Sequence, residues 1–216
     1  MHEDADLIGV SPAYFISRYG DRFTPYDVAE GLTGVAQLGF TGFQLEVFHG
    51  EYLQDWTGEG AKRVRRRSDE LGLVATQFVA HFMMEAFAEP TRVNSDLGID
   101  EMQSVLEIVD LFEECRVITI PLSAFESLSI HATHEYQALY HRCLEKLGQL
   151  VELVESSGRK LALEILPKAF IGGIDGFLRL VDQLGTDSLG LNFDTGHAWA
   201  AKENLYLVPA KLGRRI

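Results

Sequence analysis

Short apolar runs alternate with amphipathic stretches six times along this chain, and this alternation limits the possible folds more than any other feature. Parallel strands need a crossover connection, usually a helix, and no run is joined to the next by a hairpin signal. The pattern therefore predicts a parallel sheet with helices packed outside it. The predicted strands cover residues 7–10, 42–47, 73–81, 117–120, 160–165 and 189–194.

The helices between these runs are predicted from their end signals and apolar stripes. Thr24 and Pro25 are an N-cap residue and a first-turn proline, and they open a helix that ends near Leu38. The stretch 82–98 has no such pattern and is predicted to be a long irregular loop, and loops of this length are usually functional lids or disordered. The predicted helices cover residues 24–38, 60–71, 100–114, 133–156 and 174–184, with a last one inside 199–212.

Two architectures share this pattern, an open doubly wound sheet and a closed (β/α)8 barrel. An open nucleotide-binding sheet would carry a glycine-rich loop after its first strand, but residues 11–14 read Ser-Pro-Ala-Tyr. In the run 160–165, bulky apolar residues alternate with Ala162 and Glu164, which gives one apolar face and one small, polar face. This alternation of an apolar and a polar face, with a carboxylate near the end of the strand, favours an α/β protein of the TIM-barrel type.

The chain is short for such a barrel. It has 216 residues, whereas a complete barrel typically needs about 250. We therefore expect one barrel domain over residues 1–216 that is truncated after six βα units, with strands seven and eight absent or supplied by a partner. Because open sheet edges invite association, we also expect a homo-oligomer.

Composition excludes several classes of function. With 19 basic and 32 acidic residues, the net charge of −13 disfavours nucleic acids and anionic membrane surfaces as partners. No window approaches the ~20 apolar residues of a membrane span, and the acidic start does not resemble a signal peptide. Cys115 and Cys143 lack the spacing of a zinc site or a disulfide scaffold. We expect a cytoplasmic protein with reduced thiols.

Three polar residues lie at the predicted carboxyl ends of strands, where chemistry takes place in an α/β barrel. They are His81, Glu164 and Asp194, and His197 follows closely after Asp194. Carboxylate oxygens with a nearby imidazole suit a divalent cation such as Mg²⁺, Mn²⁺, Co²⁺ or Zn²⁺. The pattern therefore indicates a metal site at this edge.

Two segments resemble the metal-site motifs of the xylose isomerase-like barrel superfamily. They are LALEILP, which contains Glu164, and NFDTGHAWAA, which contains Asp194 and His197. The superfamily includes sugar phosphate isomerases and epimerases, hydroxypyruvate isomerase, inosose dehydratase and endonuclease IV. The resemblance covers essentially the whole chain in element order, and the DTGH segment is its most specific part.

The resemblance implies a role for each matching residue. Glu164 would be a metal ligand and the acid/base carboxylate, and Asp194 would be a second metal ligand. His197 would contact substrate oxygens, or a further metal in endonuclease-like relatives. His81 and Glu46 would line the substrate pocket. The family's other two ligands, a His on strand seven and a Glu on strand eight, would lie beyond the last residue.

The leading functional hypothesis is a divalent-metal-dependent isomerase or epimerase of a small sugar or sugar phosphate, working through an ene-diolate. Two alternatives stay open at this point. One is a truncated, non-catalytic barrel that binds a ligand or assembles as a structural oligomer. The other is abasic-site DNA cleavage of the endonuclease IV type, which needs several zinc-binding histidines, although the run 117–120 ends without one.

Overall fold

The computed structural model describes residues 8–125 and 130–216. Its strands form one sheet in which each strand lies beside the next one along the chain. The pairs β1–β2, β2–β3 and β5–β6 are parallel, which confirms the predicted parallel arrangement. The strands are β1 (Gly9–Val10), β2 (Gly42–Val47), β3 (Val74–Ala80), β4 (Val117–Leu122), β5 (Lys160–Ile165) and β6 (Leu189–Leu191).

At least one helix follows every strand, as the alternation predicts. Short 3-10 helices cover Gly50–Tyr52, His81–Phe87 and Gly213–Arg215. The α-helices are α1 (Ala13–Tyr19), α2 (Pro25–Gln37), α3 (Leu53–Trp56), α4 (Glu59–Leu71), α5 (Pro90–Val93), α6 (Ile99–Val109), α7 (Thr133–Ser156), α8 (Gly173–Leu184), α9 (Thr195–Ala200) and α10 (Val208–Leu212). None of the helices in the described ranges is long and apolar enough to cross a lipid bilayer.

Two sequence predictions about these elements are wrong. The stretch 82–98 is not an irregular loop, because much of it is occupied by the 3-10 helix and α5. Strand β6 ends at Leu191 instead of Asp194, because Asp194 serves as the N-cap of α9. The first residue of the predicted strand 7–10 lies outside the described residues.

The described residues fall into two compact units. The first consists of the residues up to Phe82 together with Ser104–Ile118, and the second of Met83–Gln103 together with Thr119–Ile216. The prediction of a single barrel domain over residues 1–216 stays a prediction.

The first unit is built on strands β1 to β3. Gly9 pairs with Gly42, and a Cβ atom on Gly9 would lie 2.9 Å from the Gly42 carbonyl carbon, so this close approach requires glycine. Phe43 and Phe78 are fully buried on β2 and β3, and they form its core with residues of α2 and α4.

Helix α2 begins where the sequence predicts. The Asp27 main-chain N–H donates to the Thr24 hydroxyl, and the Thr24 N–H donates to the Asp27 carboxylate at 2.7 Å. This reciprocal capping box satisfies two otherwise unpaired donors, and such a cap contributes roughly 1 kcal/mol.

The second unit is built on α7 and on the pair β5–β6. The buried face of α7 includes Leu147 and Leu150, and this helix packs on β5. Leu161 and Leu163 of β5 are fully buried and lie in register with Leu189 and Leu191 of β6. The predicted apolar face is thus confirmed.

Candidate metal centre

Glu164 lies near the carboxyl end of β5, on the face opposite to the buried leucines. Its side chain is 17% exposed, so the carboxylate is mostly shielded from water but can still be reached. The Asn192 side-chain amide donates to its Oε2 atom at 2.8 Å. Its Oε1 atom lies 3.2 Å from Nε2 of His197. The two oxygens of Glu164 therefore have different partners.

Asp194 connects the end of β6 to the start of α9. Its backbone is extended, and its Oδ1 atom accepts the main-chain N–H of His197 at 2.7 Å. A carboxylate at this position also interacts favourably with the helix dipole. The same contact places His197 in the first turn of α9, which explains why His197 is the third residue after Asp194.

Glu164, Asp194 and His197 form one cluster. Each offers a potential ligand atom, and these atoms all lie within 4.8 Å of one another. Glu164 and His197 are half-buried, whereas Asp194 is exposed to solvent. Two carboxylates this close repel each other unless a cation or a donor lies between them. The donor set of carboxylate oxygens and imidazole nitrogen fits Mn²⁺, Zn²⁺, Co²⁺ or Mg²⁺.

Asn192 belongs to this centre, although it was not among the residues predicted for the site. It follows β6 directly and fixes one oxygen of Glu164. The signal in the sequence was its spacing, because Gly190, Asn192 and Asp194 alternate with apolar residues on the predicted strand. A carboxylate at such a position indicates a metal site more directly than an amide does, so Asn192 was not predicted.

The other two predicted residues, Glu46 and His81, lie in the first unit and contact each other. Nδ1 of His81 is 3.2 Å from Oε1 of Glu46, whose side chain is only 4% exposed. The His81 ring stacks on Phe48 with the ring centroids 3.9 Å apart. A carboxylate this deeply buried is costly without a polar partner, and the imidazole lies close enough to be one.

The loop that follows β4 makes main-chain contacts with the loop that follows β5, the strand that carries Glu164. Ala124 and Ala169 form an antiparallel bridge, and the Phe125 N–H donates to the Lys168 carbonyl at 2.9 Å. Lys168 adopts a left-handed backbone with φ of 67°, which is uncommon for a residue other than glycine. The Phe170 ring packs on Phe125, with the centroids 4.8 Å apart.

The model of the family described as "Xylose isomerase-like TIM barrel" matches residues 32–216, which is most of the chain. The chain belongs to this family. The predicted family and its α/β barrel-type fold are thereby confirmed. No curated protein matches the chain.

Solved structures agree on the fold. L-ribulose 3-epimerase has a TM-score of 0.70 and 18% identity, over 97% of this chain and 67% of that one. A xylose isomerase domain protein from Planctomyces limnophilus gives 0.65 and 17%, over 86% and 64%. The zinc-bound IOLI protein gives 0.67 and 15%, over 92% and 66%. The chain thus spans about two thirds of the length of these structures, and at such low identities they show the fold alone.

Proposed function

We propose that this protein is a divalent-metal-dependent isomerase or epimerase of a small sugar or sugar phosphate. The observation that carries the proposal is the cluster of Glu164, Asp194 and His197, whose ligand atoms lie within 4.8 Å of one another. A zinc-bound neighbour and an epimerase neighbour of the same fold support the choice of a metal and of this reaction class.

In this proposal Glu164 and Asp194 hold the metal, with His197 beside them. When bound, the metal polarises a substrate carbonyl and makes the proton on the neighbouring carbon more acidic. Glu164 is the group that takes this proton, and a second carboxylate returns it on the same or the neighbouring carbon. The mostly buried position of Glu164 limits its contact with water, which helps to keep the proton at the site.

The neighbours of Glu164 have distinct tasks in this mechanism. Asn192 holds Oε2 of Glu164 and so fixes the plane of the carboxylate. His197, placed by the first turn of α9, has its Nε2 atom 3.2 Å from Oε1 of Glu164 and can donate from this atom to a substrate oxygen. The centre therefore contains a proton carrier, a group that orients it and a hydrogen-bond donor.

The first experiment measures Mn²⁺ and Zn²⁺ binding by calorimetry on the metal-stripped protein. We expect one ion per chain, and a loss of binding in Glu164→Gln and Asp194→Asn. Asp182→Asn on α8 is the matched control, because it removes an exposed carboxylate of the same unit outside the cluster. Equal affinity in all three variants would contradict the metal site.

The second experiment tests the chemistry with L-ribulose in D₂O and Mn²⁺. We expect deuterium to enter at the carbon next to the carbonyl, and Glu164→Gln to abolish this exchange while the fold stays intact by circular dichroism. Metal binding without exchange on any member of a ketopentose and ketohexose panel would favour a non-catalytic, ligand-binding barrel instead.

The expected partner is a small sugar or polyol. The homo-oligomeric state and the cytoplasmic location stay predictions from the sequence. Sedimentation of the purified chain tests the former, and a monomer at micromolar concentration would contradict it.

A further inference from the structure

Glu203 is a half-buried carboxylate beside the candidate metal centre that the proposed mechanism does not use. It lines a small cavity with Asn192 and Asp194 on one side and with Gly173 and Ile174 on the other. Its Oε1 atom accepts the main-chain N–H of Ile174 at 2.9 Å, across 29 residues of the chain. Glu203 therefore connects the segment after α9 to the start of α8.

Helix α8 depends on this contact for its cap. Its N-cap residue is Gly172, which has no side chain and supplies no cap of its own. The first N–H groups of a helix have no partner within that helix, and the carboxylate of Glu203 satisfies the one of Ile174. A carboxylate at this end also interacts favourably with the helix dipole. Glu203 thus caps α8 from another part of the chain.

The main chain has a left-handed residue on each side of the contact. Gly173 has a φ of 64°, and a Cβ atom on it would overlap Oε1 of Glu203, so this position requires glycine. Lys202 has a φ of 66°, which is uncommon for a residue with a side chain. There the chain leaves α9, and the Glu203 N–H donates to the Ala198 carbonyl at 2.9 Å. The end of α9 and the side chain that caps α8 therefore belong to one turn.

Helix α9 carries two of the three side chains of the candidate metal centre. Asp194 is its N-cap and His197 lies in its first turn, whereas Glu164 lies on β5, the strand that leads into α8. The helix has six residues, and one of them is buried, so little packing of its own holds it in place. Its start contacts β5 through His197 and Glu164, which lie 3.2 Å apart. Its end contacts α8 through Glu203.

We propose that Glu203 is a positioning residue for the metal centre. By capping α8 it fixes the end of α9, and this keeps Asp194 and His197 at the distance from Glu164 that a shared cation requires. The role rests on the proposed metal-dependent function. Glu203 is not itself one of the ligands in the cluster found among the described residues. Groups that orient metal ligands change metal affinity by roughly 10- to 100-fold when they are removed.

Three substitutions of Glu203 test this role by Mn²⁺ calorimetry on the metal-stripped protein. Glu203→Ala removes the cap, and Mn²⁺ affinity should fall about tenfold. Glu203→Asp keeps the charge but is one methylene shorter, so it should not reach Ile174 and should lose affinity to a similar extent. Glu203→Gln keeps an oxygen that can accept the same N–H, and its affinity should stay close to that of the wild type.

The order of these variants separates positioning from simple attraction between charges. If Glu203 acted on the cation only through its charge, the aspartate variant would keep the affinity and the glutamine variant would lose it. That result would overturn the proposal, as would unchanged affinity in folded alanine and aspartate variants. Either result would leave the metal site itself intact.

Thr24→Ala is the matched control, because it removes the cap of α2 in the first unit. It should lower thermal stability about as much as Glu203→Ala does and leave Mn²⁺ affinity unchanged. An equal loss of affinity in this control would show that any loss of stability weakens the metal site, and would overturn a specific role for Glu203.

Hydrogen exchange in the metal-free protein tests the role independently of the proposed function. The His197 N–H is held by Asp194 at 2.7 Å, so its exchange measured by NMR reports whether the start of α9 keeps its place. Glu203→Ala should speed up this exchange roughly fivefold, whereas Thr24→Ala should not. If the wild-type protein bound no Mn²⁺, the proposed function would fail, and faster exchange would still support the positioning of α9 by Glu203. Unchanged exchange would overturn it.

Discussion

Two glutamate–histidine pairs, one in each unit, have the same spacing but different surroundings. Glu46 and His81 lie 3.2 Å apart, and so do Glu164 and His197. The side chain of Glu46 is 4% exposed, whereas that of Glu164 is 17% exposed and has the carboxylate of Asp194 nearby. The first pair is thus a buried contact between two side chains, whereas the second has another carboxylate beside it and belongs to the cluster that we propose as a cation site.

The largest expected effect separates the two roles of Asp194. Asp194→Ser keeps a good N-cap for α9 but removes a proposed metal ligand, so Mn²⁺ affinity should fall on the order of 100-fold with little change in thermal stability. Asp194→Ala should lose the metal equally and also about 1 kcal/mol of stability. Calorimetry and thermal unfolding measure the two effects separately. If Asp194→Ser retained full affinity, the two pairs would not differ as cation sites.

The next effect compares the two histidines by their contribution to stability. His81→Ala removes the imidazole partner of the buried Glu46 carboxylate, and should lower the free energy of unfolding by about 2 kcal/mol. His197→Ala should cost less than about 0.5 kcal/mol, because Glu164 is more exposed and keeps Asn192 as a donor. Urea unfolding of the metal-free proteins gives both values.

A double variant controls this comparison. Glu46→Gln combined with His81→Ala should recover part of the stability lost in His81→Ala, because an amide then replaces the buried carboxylate that has lost its imidazole neighbour. Equal costs for the two single histidine variants would mean that burial does not distinguish the pairs.

The smallest expected effect concerns Asn192. Asn192→Ala should weaken Mn²⁺ binding by about tenfold, because Glu164 loses the group that fixes its orientation. Asn192→Gln, whose longer side chain retains the amide, is the matched control. Unchanged affinity in the alanine variant would show that Glu164 is held in place by β5 alone.

Strongly patterned elements could be predicted from the sequence. Helix α7 and strands β2 and β5 have the predicted bounds, because their apolar residues recur with one clear period over the whole element. The positions of the carboxylates near the strand ends were predicted from the alternation of apolar and polar residues along the strands. The short distances among the ligand atoms of Glu164, Asp194 and His197 agree with this prediction.

Other features depended on contacts that are distant in the sequence. Helices α1 and α3 are too short to show a period. The donor Asn192 acquires its importance only through Glu164, which lies 28 residues away. Lys146 on α7 is buried, but a lysine on an amphipathic helix is ordinarily a surface residue, so its burial could not be predicted.

The connection between the loops after β4 and β5 has a consequence for how this protein can change. The Ala124–Ala169 bridge, which includes the hydrogen bond from Phe125 to Lys168, uses main-chain atoms only. Side chains at these positions can therefore be exchanged during evolution without undoing the frame that carries them. The main-chain frame next to Glu164 can thus stay the same while the side chains on it change.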